Sequence, residues 1–235
     1  MMQLPVDASG VIPDAPDPHG PASRKIVCLE TYWGDHKVQV FQDTSVRPFL
    51  DALSTHFNPP LRVAHRFIAS SEQLASYTQF PDGLLWRDSE VFDTPFYYMS
   101  FHGAPGRVRT SLQRIGARTL CSAFKQWGGQ YPNLVHFGAC SVFAGPTGRK
   151  FARDFLEASA CRGILGYTTD TDWIDSMIVD MLFVRRFFQH PDPWDNLKQI
   201  HQSVLDDFVP ARALGYVLYT PDDFRRAASL HAASA

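Results

Sequence analysis

A chain of 235 residues that is 45% hydrophobic is long enough for one sizeable core, and a second full domain would leave each half small. Its 22 Lys+Arg against 24 Asp+Glu leave a net charge of −2 with no run of like charges, which argues against a nucleic-acid partner. Cys28, Cys121, Cys140 and Cys161 form no CxxC pair, so spacing signals neither a disulfide framework nor a metal site, and a reducing, cytoplasmic setting is expected. The N-terminus lacks a basic segment followed by an apolar one, and the apolar stretch from Trp173 to Phe188 is broken by Asp175, Asp180, Arg185 and Arg186, so no membrane association is expected.

Residues 1–23 carry five prolines among small and acidic residues and read as a flexible tail; 226–235 read as a second one, leaving one domain over 24–225. Lys25 to Thr31 is a short buried strand. Val46 to Phe57 is a helix with Phe49, Leu50, Leu53 and Phe57 on one face, stopped by Asn58-Pro59-Pro60. Leu61 to Ile68 is a second strand, and Ser70 caps a short helix that contains Leu74. Residues 79–94 are loop-like. Tyr97 to Phe101 is a third strand that turns through Gly103-Ala104-Pro105-Gly106 into a hairpin returning at Val108, and Leu112 to Trp127 is expected as a helix.

Leu134 to Gly138 is the fourth strand. A Gly-Pro-Thr-Gly loop over 145–148 then leads to an amphipathic helix from Arg149 to Ala160 with Phe151, Phe155 and Leu156 on one face. Ile164 to Tyr167 is the fifth strand, followed by a long helix with Ile174, Met177, Ile178, Met181 and Leu182 at helical spacing. A helix over 193–208 and a strand from Leu214 to Tyr219 complete the chain. Short apolar strands alternating with helices imply a mainly parallel sheet covered on both faces.

Two strand ends carry the chemistry. Phe96-Tyr97-Tyr98-Met99-Ser100-Phe101 runs into His102-Gly103, and Leu134-Val135-His136-Phe137 runs into Gly138-Ala139-Cys140-Ser141. In an open α/β sheet ligands bind outside the carboxyl ends of the strands, so two such ends can furnish one site. A thiol is a nucleophile only as its thiolate, which an imidazole makes accessible near neutral pH. Gly103 and Gly138 permit close backbone approach, and the N–H groups of Gly103 and Cys140 are candidate oxyanion donors, each typically contributing about 2.7–4 kcal/mol to transition-state stabilisation. The other cysteines fall within or at the ends of packing patterns. His136 sits inside the strand of Cys140, some 13 Å away at about 3.3 Å per residue, and reads as a core histidine. The remaining histidines, His65 among them, show no clustering, and neither a metal nor another cofactor is expected.

A strand ending in His-Gly, a helix, and a strand ending in small-small-Cys-small resemble the caspase-like cysteine peptidases of clan CD, and look closer to the compact bacterial CHAT-type members than to animal caspases. Cys140 follows His102 by 38 positions, against roughly 50 in caspases. The resemblance covers most of residues 25–220. It implies a three-layer α/β/α sandwich with a mainly parallel six-stranded sheet, and a dyad in which Cys140 attacks the scissile carbonyl and His102 protonates the leaving amine. It implies a protein or peptide substrate and a place in bacterial signalling, defence or cell death; as the chain carries no sensor domain, activation is expected from a protein partner, from oligomerisation or from a substrate that orders the rim loops. It also sets the loop after the fifth strand beside the cleft, so Asp170, Asp172 and Trp173 become candidate substrate-binding residues; N-capping by an Asp and packing of the Trp on the sheet are their ordinary alternatives. The sequence lacks the Gln before and the Gly after the cysteine that mark true caspases, so aspartate specificity is not implied. A catalytically silent interaction module and a small-molecule Cys amidase are the competing functions.

Overall fold

The computed structural model describes residues 23–32, 45–79, 82–87, 94–125 and 133–225. All but residue 23 of the expected tail over 1–23, the tail over 226–235, and Trp127 lie outside the described residues. A six-stranded sheet forms the middle layer, with strands β1 (Lys25–Glu30), β2 (Arg62–Phe67), β3 (Phe96–Ser100), β7 (Leu134–Gly138), β8 (Gly163–Tyr167) and β9 (Tyr216–Tyr219) in the order β2-β1-β3-β7-β8-β9. The first five are parallel, and β9 runs antiparallel to β8. Strands β3 and β8 are buried at every residue, as expected of central strands covered on both faces, whereas edge strand β2 is largely exposed.

Alternate residues feed two cores. Phe96 and Tyr98 point to one face, under α1 (Arg47–Ser54), α6 (Trp173–Gln189), α7 (Leu197–Asp207) and α8 (Val209–Ala213). Tyr97 and Met99 point to the other, under α2 (Ser71–Thr78), α3 (Leu84–Arg87), α4 (Ala117–Ala123) and α5 (Gly145–Ser159). That alternation is the period-2 geometry of a strand, and it makes the three-layer α/β/α sandwich. Ser70 caps α2 as expected, its side chain accepting from Gln73 N. Helix α3 is a single turn inside the stretch read as loop.

Three expected elements differ. The helix over Leu112 to Trp127 shrinks to α4, because Arg114-Ile115-Gly116 instead forms strand β6 of a small antiparallel sheet with β4 (His102–Ala104) and β5 (Arg107–Arg109). Pairing of Val108 with Ile115 buries both on the core face, and Leu112 is left exposed in the connecting turn. Helix α5 begins at Gly145, four residues before Arg149, so the Gly-Pro-Thr-Gly stretch is its first turn. Proline suits that place because its φ is preset and its missing N–H has no intrahelical partner to lose. Near the C-terminus the helix over 193–208 is confined to α7, the short α8 follows, and β9 starts at Tyr216 rather than Leu214. Gly215 at φ +61 makes the intervening turn.

Candidate active site

Strands β3 and β7 are neighbours in register, Ser100 opposite Gly138. His102 and Cys140 each lie two residues beyond that pair, so the register alone sets them at one end of the sheet, the carboxyl end of its parallel strands. Past Ser100 the chain bends through buried Phe101 into β4. Past Gly138 it turns, with Ser141 in the left-handed region at φ 52. Gly138 is required there because the Tyr98 hydroxyl occupies the space a Cβ would need, at 2.7 Å.

The cysteine turn is fastened on two sides. Ser141 N donates to Thr169 O at 2.8 Å and Phe143 N to Tyr167 O at 3.0 Å, tying it to β8 and the loop beyond. Gly106 N donates to Val142 O at 2.9 Å, tying it to the hairpin of β4 and β5. Gly103 completes the seam: a Cβ on it would lie 2.0 Å from Cys140 O and 2.7 Å from Cys140 N, so the two backbones are in direct contact and only glycine fits. The two candidate oxyanion donors therefore belong to adjoining backbone segments. His102 and Cys140 line one cavity of about 290 Å³, together with Gly103, Arg107, Arg109 and Arg114.

His102 is half-buried, and burial, with a smaller contribution from the Arg109 guanidinium, holds its pKa below the ordinary histidine value. The other thiols are poor nucleophiles. Burial pushes Cys28 well above the usual thiol range, Cys161 up to about 12 and Cys121 up to about 11. His136 is buried in the core, its Nε2 3.0 Å from Asp180 Oδ1 and its ring stacked on Tyr98. Asp180 accepts from the Tyr98 and Tyr167 hydroxyls beneath the cysteine strand, while His136 Nε2, though close to it, makes no hydrogen bond among the described residues.

The loop after β8 forms another boundary of the cysteine. Thr171, which no motif marks, stands against the thiol, its Oγ1 3.2 Å from Cys140 Sγ. Asp170 accepts from the Ser141 hydroxyl at 2.5 Å. Asp172 accepts from Ile174 N and Asp175 N as the N-cap of α6, and Trp173 packs edge-on against Phe49 with ring centroids 5.3 Å apart. Asp172 and Trp173 thus take up the ordinary capping and packing roles, and neither lines the cavity that His102 and Cys140 share.

One grouping departs from the sequence reading. His65 does cluster: the parallel register of β1 and β2 sets it opposite Cys28, and Glu30 follows two residues on along the same face. The Glu30 carboxylate is already engaged by His65 Nε2 at 2.6 Å, the Ser45 hydroxyl at 2.7 Å and Val46 N at 2.8 Å. These contacts make it a buried polar anchor joining β1, β2 and the start of α1.

No family model and no curated protein sequence matches the chain. Among solved structures, the complex of Porphyromonas gingivalis RgpB pro- and mature domains is similar at a TM-score of 0.52 and 11% identity, over 84% of this chain and 47% of that one. A crystal structure of RgpB, described as the Arg specific cysteine proteinase gingipain R, gives 0.44 at 13% identity over 72% and 37% of the two chains. Caspase-1 from Spodoptera frugiperda gives 0.46 at 13% identity over 88% and 91%. The chain spans about half the length of the RgpB chain it matches. With the strand order β2-β1-β3-β7-β8-β9, the likeness to the RgpB complex shows a shared fold, a caspase-like three-layer α/β sandwich.

Proposed function

We propose that the chain is a cysteine endopeptidase of the compact, CHAT-type kind that hydrolyses peptide bonds in a protein partner, with His102 and Cys140 as its catalytic dyad. The observation that carries the reading is the seam between Gly103 and Cys140, which joins the two strand ends beside a cavity lined by both catalytic side chains. A fold alone does not define a function; residues of the right chemistry at one place on it do.

The chemistry follows from the groups present. The Cys140 thiolate attacks the scissile carbonyl, and the carbonyl electron pair moves onto the oxygen, which the N–H groups of Gly103 and Cys140 stabilise. As the tetrahedral intermediate collapses, the C–N bond breaks and His102 gives its proton to the leaving amine, leaving a thioester on Sγ. His102 then takes a proton from water as that water attacks the thioester, and the acid product leaves with the thiolate restored. The loop carrying Asp170, Thr171, Asp172 and Trp173 borders the side of Cys140 opposite the hairpin and is the rim for the acyl half of the substrate. Activation by a protein partner, in bacterial signalling, defence or cell death, suits an enzyme whose site is rimmed by loops. The reaction calls for no cofactor, and a cytoplasmic setting would keep the thiol reduced.

The test compares wild type, Cys140→Ala and His102→Ala with an acyloxymethyl-ketone peptide probe library and a proteome-wide cleavage assay. Wild-type labelling and cleavage, both lost in Cys140→Ala, are expected. Labelling that persists in Cys140→Ala overturns the nucleophile assignment, and a wild type that is inert with its natural partners present favours an interaction module.

A further inference from the structure

The small sheet has one buried and one open face. Its paired rows are His102, Arg109 and Arg114; Gly103, Val108 and Ile115; and Ala104, Arg107 and Gly116. Directly paired residues in an antiparallel sheet project to the same side, and successive rows alternate. The middle row is the core face, with Val108 and Ile115 each 1% exposed. The outer rows therefore place His102 and all three arginines together on the open face, where they line the cavity shared with Cys140.

This concentration of charge is unusual in two respects. The chain as a whole is slightly acidic, yet three exposed arginines stand in adjoining rows, and Arg109 and Arg114 occupy directly opposite positions, a like-charge arrangement that destabilises a strand pair. Among the described residues none of the three has an acidic partner, in contrast to Arg186 with Asp207 and Arg212 with Asp206. A basic platform without an acidic partner among the described residues, beside a histidine, is a surface arranged for an anionic group, and guanidinium forks suit carboxylates in particular.

We propose that the open face of this sheet seats the leaving half of the substrate, and that Arg107, Arg109 and Arg114 select an acidic peptide segment directly after the scissile bond. The placement rests on the cysteine-peptidase reading: His102 protonates the leaving amine, so the chain beyond that amine must pass over the strand carrying His102 and meet the arginines beside it. The loop of Asp170 and Asp172 lies on the opposite side of Cys140, with Asp170 engaged by the Ser141 hydroxyl and Asp172 by the first turn of α6, so the arginines stand on the leaving-group side.

Binding tests this without requiring turnover. Fluorescent peptides identical before the cleavage position, and carrying acidic, neutral or basic residues in the three places after it, are titrated onto the Cys140→Ala protein at low and high salt. The acidic peptide is expected to bind at least about tenfold more tightly than the neutral one at low salt, with the preference shrinking at high salt and in Arg109→Gln and Arg114→Gln. Circular dichroism of each variant confirms its fold. Equal binding of acidic and neutral peptides overturns the proposal whether or not the wild type cleaves. Stronger competition by a single-stranded oligonucleotide than by the acidic peptide overturns it in favour of a nucleic-acid surface. Acidic preference with no probe labelling of wild-type Cys140 would instead sink the peptidase reading and leave the anion platform standing.

Discussion

Under the proposed mechanism His102 faces a conflict that its neighbours create: it would carry a proton to the leaving amine while half-buried and opposite Arg109. Both influences disfavour the imidazolium, so the ring stays neutral to lower pH than an ordinary histidine. In the Cys140→Ala background, where no thiolate complicates the titration, NMR of the His102 ring is expected to give a midpoint below 6.5 that rises in Arg109→Gln. An unchanged midpoint in that variant would show that burial alone sets it. Gly103 makes a complementary case. Any side chain there meets the backbone of Cys140, which cannot yield as a flexible side chain does, so Gly103→Ala is expected to cost about 1–3 kcal/mol and to slow labelling of Cys140 sharply. Urea denaturation and probe kinetics on the same variant measure the two effects.

At the scale of elements, α6 links the rim of the site to the core. Its first turn is capped by Asp172 and its buried face carries Met177, Phe183, Val184 and Phe187 into the larger apolar cluster. Loss of the cap in Asp172→Ala is expected to lower stability by about 1 kcal/mol, whereas Asp172→Asn, an equally good cap without the charge, should leave it nearly unchanged. Urea midpoints for the two variants check this. A substrate that loses affinity equally in both would assign Asp172 a recognition role beyond its cap, because only charge is missing from the second. The small sheet teaches a related lesson. Three residues, Arg114 to Gly116, are too few to display a period, and their pairing with β5 across the hairpin prevailed over the helical pattern that continues after them.

Across the whole molecule, helices packed on either face of one sheet take histidines out of water. His201 is the clearest: burial lowers its pKa to about 4, and its Nε2 sits 3.3 Å from Tyr216 O, a contact the neutral ring makes as donor. Because the folded value lies below the unfolded value of about 6.5, the unfolded chain binds the proton first. The stabilisation is complete above pH 6.5 and is lost as pH falls towards 4, by at most about 3 kcal/mol. Thermal melting should therefore decline between these limits, and His201→Gln should flatten that decline; an identical slope in the variant would remove His201 as its source.

Composition and local pattern were enough to read the parallel sandwich, the strand ends at His102 and Cys140, and the cap at Ser70, since a strand covered on both faces must be continuously apolar and a cap is a contact between near neighbours. Local pattern could not show that Thr171 touches the thiol, that His65 meets Cys28 and Glu30, or that three arginines flank His102. Those groupings depend on the register between strands and on how separate loops converge. Register comes from packing summed over the whole sheet, which no single segment encodes.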